Sequence, residues 1–338
     1  MPTNSGMFEI ENFVMQCGAT LPVARITWKT HGTLNADKSN AILFPNFLGG
    51  FDAALEMWIG EGRPLDPSKY FIIMPGQFGL APSTSPSNTP QPYDGASFPQ
   101  AHIADDVVAQ ERMVRELWGI EAFYLVLGWS VGALQTYEWA VRFPKMVTRM
   151  ASICGAPKPS DWTRLWLRTV IEDPISADPN FANGRYTDSA AVNQGKRITG
   201  HMAALTHPPK VFYRTQIWRR LGFSSMEDFV ARSWETFWLP HDPNDLILQA
   251  RKARFADPAH GGDIAAALST ITAKAMIAAV EGDAMFPPED GAVDASRVPG
   301  SIYRHLQSES GHLATFALSP SDQQAIDGVI AEILAEKV

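Results

Sequence analysis

The stretch FYLVLGWSVGALQTYEWAVRF, residues 123–143, decides how this chain folds. FYLVL is an unbroken apolar run of strand length, and ALQTYEWAVRF carries a helical pattern. Between them, Gly128-Trp129-Ser130-Val131-Gly132 sets a small residue two positions to either side of a serine. A sharp strand-to-helix turn requires this, because strand and helix backbones crowd there. The helix start just beyond the serine offers free N–H groups and a positive dipole end to developing negative charge. Ser130 is therefore the candidate nucleophile.

Outward from this elbow, RITWKT (25–30), AILFPNF (41–47), YFIIMPG (70–76) and VTRMASICG (147–155) have the length and apolarity of strands buried on both faces. Residues 103–119 form a crossover helix, with Val107, Val108, Met113, Val114 and Leu117 on its apolar face and charges on the other. The strand pattern resumes at 272–283 and 301–312. A closing helix follows at 321–337, with Ile326, Val329, Ile330 and Ile333 on one side. Residues 156–261 differ, with Trp162, Trp166, Trp218, Trp234 and Trp238 among Pro-broken helical segments. The expectation is an α/β fold with a mostly parallel sheet, a core of residues 1–155 and 262–338, and an inserted helical cap over 156–261. The tryptophans read first as cap core and second as substrate wall. The Pro/Ser-rich tract 81–95 is either a functional loop or an ordered surface excursion.

A serine attacks only when a base takes its proton, and on this fold base and carboxylate follow it in the order Ser, Asp or Glu, His. Asp283 lies just past the strand AMIAAV, and His312 just past the last strand, each where such sites are built. Glu281, Glu289 and Asp290 are rival carboxylates, and His305, inside a strand pattern, is the rival base. Oxyanion donors are expected from the backbone N–H groups of Val131 and of Leu48 in the turn NFLGG (46–50). Trp129, Phe47 and Leu313 are candidate pocket residues. A dehalogenase or epoxide hydrolase is disfavoured, since those use a carboxylate at the elbow where this chain has Ser130. A binding protein without turnover on the same fold is disfavoured by the intact Ser, Asp and His.

The 338 residues, 45% hydrophobic and 19% charged, describe a globular chain, and its net charge of −8 disfavours a nucleic-acid partner. Cys17 and Cys154 are the two cysteines, without metal-ligand spacing, and the eight histidines form no metal motif. No metal is expected. With no leader pattern and no run long enough to span a bilayer, the expected location is cytoplasmic and off the membrane.

Several segments together resemble the homoserine O-acetyltransferase family of α/β-hydrolases over most of the chain. FPNFLGG is similar to the family's oxyanion stretch, and YDGASFPQAHIADDVVAQ to its turn and Asp-x-Val-x-x-Gln helix. GWSVGALQTYEWAVRFP resembles its nucleophile elbow, DPNDLILQARKARFAD its exit from the cap, and GDAMFPPED and SGHLATF its acid and base loops. The resemblance implies an acyl-enzyme mechanism, a helical cap over the site, a homodimer assembled through caps, and no metal or organic cofactor. Two departures matter. The family's transferases have an Asp after the catalytic His, where this chain has Leu313. They also carry a cap arginine for the substrate carboxylate; counting back from His207, that position is Gly200, with Arg197 nearby. Without those partners an amino acid's charges stay uncompensated in a partly dry pocket. The resemblance therefore points to the short-chain acetate-ester hydrolase branch, acting on a small-molecule ester. O-acetyl transfer from acetyl-CoA to homoserine or a related acceptor is the alternative.

Overall fold

The computed structural model describes residues 2–337 and places eight strands in one sheet of order β1-β2-β4-β3-β5-β6-β7-β8. The strands are β1 (Thr3–Val14), β2 (Thr20–His31), β3 (Ala41–Leu43), β4 (Phe71–Pro75), β5 (Leu125–Trp129), β6 (Arg149–Ile153), β7 (Lys274–Val280) and β8 (Ile302–Leu306). β2 runs antiparallel to β1 and β4, and every pairing from β4 through to β8 is parallel. Every residue of β3 to β6 is buried, as expected where helices cover both faces of a parallel sheet.

The antiparallel end departs from expectation. RITWKT lies in a longer strand whose faces alternate between core and solvent, instead of being buried on both sides. Its partner β1 has no counterpart in the sequence reading. The pairs Phe8↔Ile26, Ile10↔Ala24 and Phe13↔Leu21 bury one face of this hairpin. The period-2 apolar signal in TNSGMFEIENFV is confined to residues 8–11, where Phe8 and Ile10 alternate with Glu9 and Glu11.

Helices Ile103–Trp118 and Val131–Arg142 cover one face of the sheet. On the other face, Ile326, Val329, Ile330 and Ile333 of helix Pro320–Ala335 pack with Met276, Ala278 and Val280. In helix Ile103–Trp118 the expected division of faces holds only in part. Asp106 and Gln110 are buried, whereas Leu117 is exposed. Between β6 and β7 the chain runs through a series of helices, from Asp161–Leu167 to Pro243–Arg254, whose apolar interior joins the core of the first face. The 81–95 tract is structural in its first part. Ser83 and Thr84 side chains accept the N–H groups of Thr27 and Arg25 at 3.0 and 2.7 Å, covering β2 where β4 has ended. Among the described residues no helix is long and apolar enough to cross a membrane.

Candidate active site

Ser130 sits between β5 and helix Val131–Arg142 with φ 53° and ψ −126°, a conformation rarely adopted by a residue with a side chain. Its N–H is held by the carbonyls of Ile153 and Cys154 at 3.2 and 3.1 Å. The flanking glycines are required sterically. A Cβ on Gly128 would lie 2.4 Å from the Gly132 carbonyl, and one on Gly132 would lie 2.6 Å from Pro45 O.

Asp283, in the loop after β7, is buried and fully engaged. Its Oδ1 accepts the N–H groups of Met285 and Phe286 at 2.8 and 2.9 Å, and its Oδ2 lies 2.8 Å from His312 Nδ1. His312 occupies the short 3-10 turn Gly311–Phe316 beyond β8. Its N–H bonds to His207 O at 3.2 Å and its ring stacks on Phe286. The carboxylate fixes the Nδ1–H tautomer, which leaves the Nε2 lone pair free. Ser130 and His312 open into the same cavity of about 580 Å³. The rivals lie elsewhere: His305 on β8 pairs with Glu281 at 2.8 Å, and Glu289 and Asp290 open helix Pro288–Arg297.

In the turn 46–50 after β3, three of the five amides have partners. Phe47 N–H is taken by Asn46 Oδ1 at 3.0 Å, Gly49 N–H by Gln249 Oε1 at 2.9 Å, and Gly50 N–H by Phe47 O at 3.0 Å. Among the described residues the N–H groups of Asn46 and Leu48 have no hydrogen-bond partner, nor does Val131 N–H, the first of its helix. Leu48 and Val131 carry the two amides that the sequence offers as oxyanion donors.

The cavity is walled by aromatic and aliphatic side chains, including Phe47, Leu48, Trp166, Trp234, Trp238 and Leu313, and among the described residues no carboxylate lines it. Phe47 and Leu313 are among the residues that line it. Trp129 is not: its ring turns into the core against Phe44 and Trp58, at 4.7 and 5.8 Å between centroids, because its neighbour Ser130 takes the outward side of the elbow. Three tryptophans of the 156–261 segment are wall as well as core, whereas Trp162 is exposed. Arg197 pairs with Glu235 at 3.1 Å outside the cavity, and Gly200 packs on the Trp234 backbone. One arginine, Arg232, reaches the cavity edge, mostly solvent-exposed and 3.6 Å from Asp228.

His207 carries more than the sequence suggested, where it served only as an aromatic reference point. It lines the cavity between Trp166 and Trp234 and 5.4 Å from the His312 ring, with Nδ1 bonded to Ala203 O. Burial, and then the nearby His312, pushes its pKa down to about 3. Cys154 Sγ, Asp283 and His312 lie within 4.8 Å of one another. A metal there would have to displace the Asp283–His312 hydrogen bond and the two amides on Asp283. Burial, reinforced by the Asp283 charge, keeps the thiol protonated and a poor ligand.

The chain is 39% identical over 338 residues to the ethyl acetate hydrolase of Pseudomonas veronii, covering 98% of this chain and 97% of that protein. A crystal structure of an acetylester hydrolase from Corynebacterium glutamicum superposes with a TM-score of 0.96 at 36% identity, covering 98% and 96% of the two chains. Identity to the homoserine O-acetyltransferase of Trichormus variabilis is 29%, over 89% of this chain and 86% of that one. A family model described as the alpha/beta hydrolase fold matches residues 42–316, spanning the elbow, the turn 46–50 and both later loops, and the chain belongs to that family.

Proposed function

We propose that this protein is a serine carboxylic ester hydrolase acting on short-chain acetate esters, with Ser130, His312 and Asp283 as its catalytic triad. His312 Nε2 takes the proton of Ser130 Oγ as that oxygen attacks the ester carbonyl, while Asp283 holds the ring through Nδ1–H and stabilises the imidazolium. The carbonyl oxygen, now an oxyanion, is met by Leu48 N–H and Val131 N–H, donors already oriented and without partners among the described residues. Collapse expels the alcohol, which takes its proton from His312. Water, deprotonated by the same nitrogen, then releases acetate from Ser130.

The observation that carries the choice of acceptor is the wall of the cavity. Among the described residues no carboxylate lines it, and Leu313 follows His312 where an amino-acid acceptor would need a partner for its ammonium. Water has no such need. Relatives named for ethyl acetate and acetyl esters point the same way. Segment 156–261 is read as a cap that supplies most of the apolar wall. It also exposes Trp162, Leu165, Ile198, Leu205 and Met226, which supports a homodimer assembled through caps.

The test is to follow acetate release from ethyl acetate and p-nitrophenyl acetate, and CoA release from acetyl-CoA with homoserine. Rapid acetate release that is lost in a folded Ser130→Ala variant is expected. Homoserine-dependent CoA release outrunning ester hydrolysis would make the protein a transferase, and full turnover by Ser130→Ala would overturn the triad.

A further inference from the structure

Behind the oxyanion turn lies a chain of buried polar side chains to which the reaction described above assigns no part. Lys252, on helix Pro243–Arg254, and Asp106, on helix Ile103–Trp118, are both fully buried and pair at 2.7 Å. The ammonium also donates to Gln77 Oε1 at 2.9 Å and to Phe78 O at 2.7 Å. Asp106 Oδ1 accepts Phe78 N–H at 2.8 Å. Gln77, also fully buried, turns its Nε2 toward the oxyanion turn and donates to Phe47 O at 2.8 Å and Asn46 O at 3.3 Å. Gln135, held by Gln110, donates to Asn46 O at 3.1 Å, and Gln249 accepts Gly49 N–H.

The Phe47 carbonyl and the Leu48 N–H belong to one peptide unit. In a trans peptide the C=O and N–H point in opposite directions. A donor fixed on Phe47 O therefore aims Leu48 N–H the other way and also polarises it, since hydrogen bonds in series strengthen one another in a low-dielectric interior. The buried ammonium on Gln77 Oε1 extends that polarisation by one more link.

We propose that Gln77, oriented by the Lys252–Asp106 ion pair, is a positioning residue for the oxyanion donor: it aims and strengthens the Leu48 N–H. The proposal rests on the triad and oxyanion reading above, and adds residues from two sequence motifs that the chemistry itself leaves unused.

A readout specific to the oxyanion is binding of a short-chain trifluoromethyl ketone. Ser130 Oγ bonds to its carbonyl carbon, the carbonyl π pair moves to oxygen, and the serine proton passes to His312, so the adduct's oxyanion sits against Leu48 and Val131. In Gln77→Met, kcat/KM for p-nitrophenyl acetate and affinity for the ketone should fall together, by about tenfold to a hundredfold, with KM unchanged within about twofold. A merely structural role would instead disturb KM and the binding of product alcohol. The paired variant Asp106→Asn/Lys252→Met leaves Gln77 in place without the charges, and avoids a lone buried charge if Gln77→Met does not fold. It should lose a smaller but parallel share of both quantities. Unchanged ketone affinity and kcat in a folded variant, while Ser130→Ala is inactive, overturns the role of Gln77 and leaves the triad standing. An active Ser130→Ala would overturn both.

Discussion

Replacing His207 by Phe should flatten the acid limb of the stability profile. The His207 ring is buried between Trp166 and Trp234, at 4.9 and 4.8 Å between centroids, and its pKa is pushed down to about 3 from 6.5. The folded chain keeps the ring neutral over an interval in which the unfolded chain takes up a proton. The associated stability is therefore complete above the unfolded value of 6.5 and is lost as pH falls toward 3. At about 1.4 kcal/mol per pH unit the whole interval corresponds to about 5 kcal/mol, of which about 3 kcal/mol disappears between pH 7 and pH 4. The assay is urea denaturation of both proteins at several pH values across that range. Phe retains the packing on the two indoles and removes the titration. Asp245 and Asp294, pushed up to about 7 by burial, titrate in the opposite sense but in both proteins alike, so the difference between the two profiles isolates His207. His207 O holds the His312 N–H, and ester turnover in the natural protein should therefore fail along the same limb. Two profiles parallel from pH 7 to pH 4 would refute the reasoning.

Asp283→Asn keeps an oxygen for the Met285 and Phe286 amides but turns an N–H₂ toward His312 Nδ1. The ring must then adopt the tautomer whose Nε2 carries the proton, and kcat should fall by about 10⁴ with little change in melting temperature; a loss under tenfold would remove Asp283 from its role. Leu313→Asp puts a carboxylate into the cavity wall. It should cost about 1–3 kcal/mol in stability and narrow the gap in kcat/KM between ethyl acetate and O-acetylhomoserine, whose ammonium gains a partner. An unchanged substrate ratio would show that residue 313 does not face the substrate.

The elbow was legible because its signals are local. A strand run, a serine between glycines and a helix start lie within twenty-one residues, and each reports backbone geometry at its own position. Asp283 and His312 were legible through order and through their places just beyond strand ends. β1 was not, because most of its residues show no alternation and its stability comes from pairing with β2 and not from its own pattern. Trp129 was misplaced for a related reason: adjacency to Ser130 along the chain says nothing about which side of the elbow the ring takes.

Residue pattern alone determined the alternation of strands and helices, the glycine-flanked turn that carries Ser130 and the chain order Ser130, Asp283, His312, since these follow from propensity, hydrophobic period and the steric need for glycine. Only the tertiary structure decided which amides of the turn 46–50 lack a partner, that no carboxylate among the described residues lines the cavity, and that Asp106 and Lys252 meet in the interior. Those facts depend on which groups from distant segments, 46–50, 77, 106 and 249–252 among them, come within hydrogen-bonding distance. A charged residue on a helix reads as solvated until the fold supplies the partner that lets it be buried.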